Sequence, residues 1–129
     1  MSANLEAAAL PLRLAWPWIA GHYAETHPGH VAILTCVDRD VREQQQLYAK
    51  GRTQPGGIVT YCDGVHTKSK HNAVPSEALD FAIVINGKVS WDPAEYAPVG
   101  MLAESRGLVW GGSWDTFKDF PHLETKETT

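Results

Sequence analysis

The run Ala78-Leu79-Asp80-Phe81-Ala82-Ile83-Val84-Ile85, followed at once by Asn86-Gly87, constrains this chain most. The run has the β-branched, apolar character of a strand. Asn-Gly is the favoured two-residue turn that reverses a strand onto its neighbour, and Lys88-Val89-Ser90-Trp91 supplies the returning strand. An antiparallel hairpin therefore stands in the middle of the sequence. A second apolar run, His30–Cys36, predicts another buried strand after the turn at His27-Pro28-Gly29. Leu108-Val109-Trp110 and Pro121–Glu124 predict two short strands near the end.

Helical patterns surround these strands. Residues 4–26 read as helical, with Pro11 and Pro17 expected to break the run into short pieces. Asp40 is placed to cap a helix through Glu43, Gln44, Leu47 and Tyr48 that ends near Gly51. Asp92-Pro93 resembles a helix start, but Pro98 shifts the expected main helix later, up to Arg106 with Gly107 as its cap. Helices first, then strands mixed with helices around an antiparallel hairpin, predict an α+β fold. The expectation is a single compact domain over residues 1–129, with an N-terminal helical region (1–29) packed on a small antiparallel sheet and a flexible tail at 126–129.

With 129 residues, 43% hydrophobic and 20% charged, the chain can bury a core without disulfides, and a disordered chain is excluded. A net charge of −4 without a basic stripe argues against nucleic acid as partner. The apolar segment Ala7–Ala20 is interrupted by Pro11, Arg13 and Pro17, so neither a membrane span nor a signal peptide is expected. Cys36 and Cys62 are too few for a disulfide scaffold and read as free thiols.

The polar, glycine-containing stretch 52–75 is long for a loop, and loops of that length are often functional. Around it lie the residues that can do chemistry: Ser69-Lys70-His71-Asn72, Asp80, Asp119-Phe120-Pro121-His122, and Arg39 with Gln44 and Arg52 near it. Each also has a plain reading. His71 reads as a solvated loop histidine, Asp80 as a strand-entry residue met by backbone amides, and Asp119 and His122 as a polar turn before an edge strand. The plain reading is hardest to sustain for Asp80, because a carboxylate beside Phe81–Ile85 is costly to bury unpaired. His66 reads as a loop residue, and His22, His27 and His30 as surface or supporting residues. The tryptophans read as core or cleft walls.

The order Arg39, Glu43-Gln44, Leu47-Tyr48-Ala49-Lys50-Gly51-Arg52-Thr53-Gln54-Pro55-Gly56, Ser69-Lys70-His71-Asn72, Ala78-Leu79-Asp80, Trp110-Gly111-Gly112 and Asp119-Phe120-Pro121-His122-Leu123-Glu124 resembles the zinc D,D-peptidase and L-alanyl-D-glutamate peptidase family (VanY-type, M15-like). The Leu-Tyr-x-x-Gly-Arg-Thr-x-Pro-Gly run is most similar to its phage endolysin members. The resemblance implies His71, Asp80 and His122 as ligands of Zn2+, Asp119 as catalytic base and then acid, and Arg39 as the cation that meets substrate or the tetrahedral intermediate. It implies substrate-side or supporting roles for Ser69, Gln44 and Arg52. Of the tryptophans, Trp110 or Trp114 is expected to line the substrate groove. The implied partner is the peptidoglycan stem peptide. The implied activity is that of a monomeric L-alanyl-D-glutamate endopeptidase, held in the cytoplasm until phage lysis and then acting on the wall. Alternatives of the same scaffold are a D-alanyl-D-alanine carboxypeptidase and a non-catalytic zinc module of the hedgehog kind; Asp119 argues against the latter. A nuclease, hinted at by His71-Asn72, conflicts with the acidic balance.

Two departures stand out. The His71-to-Asp80 spacing is two residues longer than is usual in the family, with Pro75-Ser76 where a glycine would lie. Ser113 follows Trp110-Gly111-Gly112 where many members carry Asp.

Overall fold

The computed structural model describes residues 2–126; positions 127–129 of the expected tail lie outside them. A short 3-10 turn, Leu5–Ala7, precedes helix α1 (Leu10–Thr26). Strand β1 (His30–Cys36), helix α2 (Val41–Ala49), a 3-10 turn at Lys70–Asn72, strands β2 (Ala78–Ile85) and β3 (Lys88–Ser90), helix α3 (Pro93–Ser105), strand β4 (Val109–Trp110), a 3-10 turn at Gly111–Ser113 and strand β5 (His122–Glu124) follow. All strand pairings are antiparallel, in the order β1-β2-β5-β4, with β3 against the far half of β2. This is the expected α+β arrangement.

Two proline expectations fail. α1 is one continuous helix, because Pro11 sits in its first turn and Pro17 costs a single backbone bond. The stripe Leu12, Ala15, Trp16, Ile19 and Tyr23 is buried along its length, and that burial outweighs the missing bond. α3 likewise starts at Pro93, capped by Asp92 Oδ1, and runs through Pro98 with Tyr96, Val99, Gly100 and Ala103 buried. The sequence-derived ends of α2 and α3 are met: Asp40 and Glu43 form a reciprocal capping box, and Gly107 takes a φ of +81° just after α3.

The sheet's alternation decides where the chemistry can be. Leu79, Phe81 and Ile83 of β2 point into the core against α1 and α3, with Phe81 between the rings of Trp16 and Tyr96. Period two then sends Asp80 to the opposite face. β1 is less buried than expected, with Val31 and Ile33 half exposed, because it is an edge strand with only one face covered. The register shifts between Leu34 and Cys36, and this irregularity brings Cys36 opposite Asp80.

Candidate active site

Cross-strand register builds the centre. Asp80 of β2 is paired directly with His122 of β5, so the two side chains emerge on the same face. His122 Nδ1 lies 3.1 Å from Asp80 Oδ1. His71 comes from the 3-10 turn, and its Nε2 lies 3.2 Å from the same oxygen. That turn is closed by Ser69, whose Oγ accepts from the His71 amide while its own amide donates to Asn72 Oδ1. It is tied to the segment after β1, since Arg39 N donates to the His71 carbonyl and Asn72 Nδ2 to the Arg39 carbonyl. Three residues separated along the chain thus meet at one carboxylate.

The outer partners assign the tautomers. His71 Nδ1 is 2.8 Å from the Val37 carbonyl oxygen, which can only accept, so Nδ1 carries a proton and Nε2 is the nitrogen turned to Asp80. His122 Nε2 is 2.8 Å from Glu124 Oε1, which leaves Nδ1 facing Asp80 and Asp119. Burial opposes charge on both imidazoles. The hydrogen bonds to Asp80 more than offset it, raising His71 to about 10 and His122 to about 9. Burial pushes Asp80 up, yet the two histidines hold it well below the usual carboxylate range.

Asp119 sits at the edge of this cluster, half exposed, with Oδ2 3.9 Å from His122 Nδ1. Its carboxyl is shifted upward, chiefly by desolvation, with His122 opposing and Asp80 adding to the rise. Its backbone is fixed by Gly111: Asp119 N donates to the Gly111 carbonyl, and a Cβ on Gly111 would fall 2.3 Å from the Asp119 carbonyl oxygen. Arg39 is largely buried, with Nη2 3.8 Å from Asp80 Oδ2 and Nη1 donating to Gln44 Oε1 at 2.8 Å. These groups line an open cleft of about 700 Å³, whose other walls include Ser69, Tyr61, Trp114 and Phe117.

Several expected site residues are elsewhere. Trp110 is buried, its ring wedged between Gly100 and Gly112 and its Nε1 donating to the Phe120 carbonyl; it is a core residue, and Trp114 is the tryptophan on the cleft. Gln44 is fully buried behind Arg39 and donates to the Cys62 carbonyl, so it orients the arginine and does not reach substrate space. Arg52 lies over the Tyr48 ring, 3.8 Å from its centroid, and bonds the Tyr48 carbonyl outside the cleft. His66 is exposed and bonded to Asp63. Ser113 bonds Glu104, away from the centre. The longer loop before β2 is anchored by Ser76, whose backbone pairs with Ala7 and Ala9 and whose Oγ lies 2.7 Å from the Val37 carbonyl that receives His71.

The donor set suits a divalent metal. Two geometric groups share Asp80: Asp80 with Asp119 and His122, and Asp80 with His71 and Cys36. Cys36 lies 3.8 Å from His71 Nδ1, the nitrogen already committed to Val37, whereas the nitrogens facing Asp80 belong to His71 and His122. Two imidazoles, each held by an outer acceptor and neutral once it loses the proton shared with Asp80, and one carboxylate match a hydrolytic zinc set with an open position. Glu124 is the member of this arrangement that the motif contained without a role; its signal is its place two residues after His122, on the same face of β5.

Residues 63–125 match the model of a family described as D-alanyl-D-alanine carboxypeptidase. The peptidoglycan L-alanyl-D-glutamate endopeptidase CwlK of Bacillus subtilis (strain 168) is 37% identical over 111 residues, which cover 78% of this chain. The chain spans 64% of that relative's length. The crystal structure of the L-Ala D-Glu endopeptidase ChiX of Serratia marcescens has the same fold, with a TM-score of 0.61 at 23% identity over 95% of this chain and 84% of that one. The matched segment 63–125, which contains His71, Asp80, Asp119 and His122, is similar to the peptidase M15 family.

Proposed function

We propose that this protein is a zinc-dependent peptidoglycan peptidase that cleaves the L-alanyl-D-glutamate bond of stem peptides. The observation that carries the reading is a carboxylate with an upward-shifted pKa, Asp119, standing beside but outside a His71-Asp80-His122 cluster. A purely structural metal site has no use for such a neighbour. The name of the Bacillus relative supports this bond as the substrate.

His71, Asp80 and His122 hold the ion, which when bound polarises a carbonyl and acidifies water. Asp119 takes the proton of the attacking water and returns it to the leaving amine; its raised pKa favours the first transfer, and its partial exposure keeps it in reach of substrate. Arg39, held by Gln44, places positive charge at the cleft beside Asp80, where negative charge develops on the scissile oxygen. Ser69 keeps the turn that aims His71. The cleft's cations Lys68 and Lys118 suit an acidic, carboxylate-bearing peptide.

The protein acts as a monomer and, by its similarity to phage-type members, as an endolysin that stays in the cytoplasm until lysis opens the way to the wall. Among the described residues no helix is long and apolar enough to cross a membrane. The test is mass spectrometry of purified peptidoglycan after digestion. New amino-terminal D-glutamate supports the endopeptidase; release of free D-alanine alone replaces it with the carboxypeptidase of the family's description; no cleavage with metal bound rejects the enzyme reading.

A further inference from the structure

We infer that Lys70 and Glu124 form a positioning pair that fixes His122 in its metal-binding orientation and locks the His71 turn to strand β5. The inference rests on the metal-centre reading above.

Glu124 uses both carboxylate oxygens. Oε1 lies 2.8 Å from His122 Nε2, and Oε2 lies 3.0 Å from Lys70 Nζ. Lys70 Nζ also donates to the Thr125 carbonyl at 2.6 Å. Lys70 and Glu124 are about four-fifths buried (side-chain exposures of 21% and 17%), so the pair is better shielded from solvent than a surface ion pair. Glu124 contacts the His122 nitrogen opposite to the one that faces Asp80, so it orients the ring and is not itself a ligand. An imidazole can rotate about its Cβ–Cγ bond. An acceptor fixed on Nε2 selects the ring orientation that turns Nδ1 toward Asp80, so that Nδ1 offers its lone pair to a metal once it gives up the proton it shares with Asp80. Lys70 adds a second constraint, because it immediately precedes His71. The chain Lys70–Glu124–His122 thus connects the two segments that bring imidazoles to Asp80, independently of any metal.

The expectation concerns metal affinity, read with a competing chelator, and the absorption bands of the cobalt(II)-substituted protein. Glu124→Ala should weaken zinc binding about 10- to 100-fold and shift the cobalt bands. Glu124→Gln keeps an acceptor for His122 but sets its amide group against the Lys70 ammonium, so alone it should be intermediate. Combined with Lys70→Met, which removes that conflict, Glu124→Gln should recover most of the affinity and the parent cobalt spectrum. A structural role alone would lower the unfolding temperature of the metal-free protein without moving the cobalt bands. Unchanged affinity and bands in Glu124→Ala overturn the inference, as does a double variant no better than Glu124→Ala. If Glu124→Ala does not fold, the single and double Gln variants decide by the same comparison. A parent protein that binds no zinc instead overturns the metal-centre reading, so the two failures are distinguishable.

Discussion

Gly100→Ala sets two effects of opposite sign against each other. Alanine is the better helix former by about 1 kcal/mol, and Gly100 lies inside α3, so propensity predicts a gain. Packing predicts a loss. A Cβ at this position would stand 2.1 Å from Trp110 Cδ2 and 2.3 Å from Cε2, far inside ordinary contact. The indole is closely hemmed in: a Cβ on Gly112 would be 2.2 Å from its Cζ2, and Nε1 is held by the Phe120 carbonyl at 2.9 Å. Overpacking of this kind costs about 1–3 kcal/mol when neighbours shift. Displacing the ring would also lose one hydrogen bond, about 1 kcal/mol. The clash should win, leaving a net destabilisation of about 1–3 kcal/mol, which at a urea slope of roughly 1–3 kcal/mol per molar lowers the midpoint by about 1 M. Urea unfolding followed by tryptophan fluorescence and circular dichroism measures it. The control is Gly100→Ala in a Trp110→Leu background, where the clash is absent and alanine should regain its helical advantage. A Gly100→Ala protein as stable as the parent would refute the wedge, and with it the account of why Trp110 is core.

Asp119→Asn should retain zinc and lower the rate of stem-peptide cleavage about 10²- to 10⁴-fold, checked by metal analysis beside a cleavage assay; a near-parental rate removes Asp119 from proton transfer. Gln44→Leu should destabilise the fold by roughly 1–3 kcal/mol, since it leaves Arg39 Nη1 and the Cys62 carbonyl without the partner each now has; an unchanged denaturation midpoint contradicts this. Metal uptake should release protons and strengthen from pH 6 to 8, because hydrogen bonds to Asp80 hold His71 at about 10 and His122 at about 9 in the metal-free protein. Calorimetry in two buffers of different ionisation enthalpy counts those protons, and a count of zero rejects the assignment. The same raised values stabilise the metal-free fold fully below the ordinary histidine value of 6.5, and that stabilisation is lost as pH rises through about 9 to 10. Its thermal midpoint should therefore fall over that alkaline range.

Local chemistry made much of this protein legible from the amino-acid order. The β2–β3 hairpin, the Asp40–Glu43 capping box and the Gly107 cap depend on residues within a few positions of one another, so a linear reading finds them. The motif pattern likewise marked His71, Asp80, Asp119 and His122, though only through resemblance, since nothing in their spacing dictates that they meet. Tertiary packing decided the rest. It carried α1 and α3 through Pro17 and Pro98, because burying a whole helical face outweighs one lost backbone bond. It turned Trp110 inward between two glycines, placed Gln44 behind Arg39, and set Glu124 and Lys70 behind His122. Some of these join distant segments, as Trp110 with Gly100 and Lys70 with Glu124, and others join near neighbours, as Arg39 with Gln44 and His122 with Glu124, but all depend on strand register and on which face of the sheet is covered. Those two quantities exist only once the chain has folded.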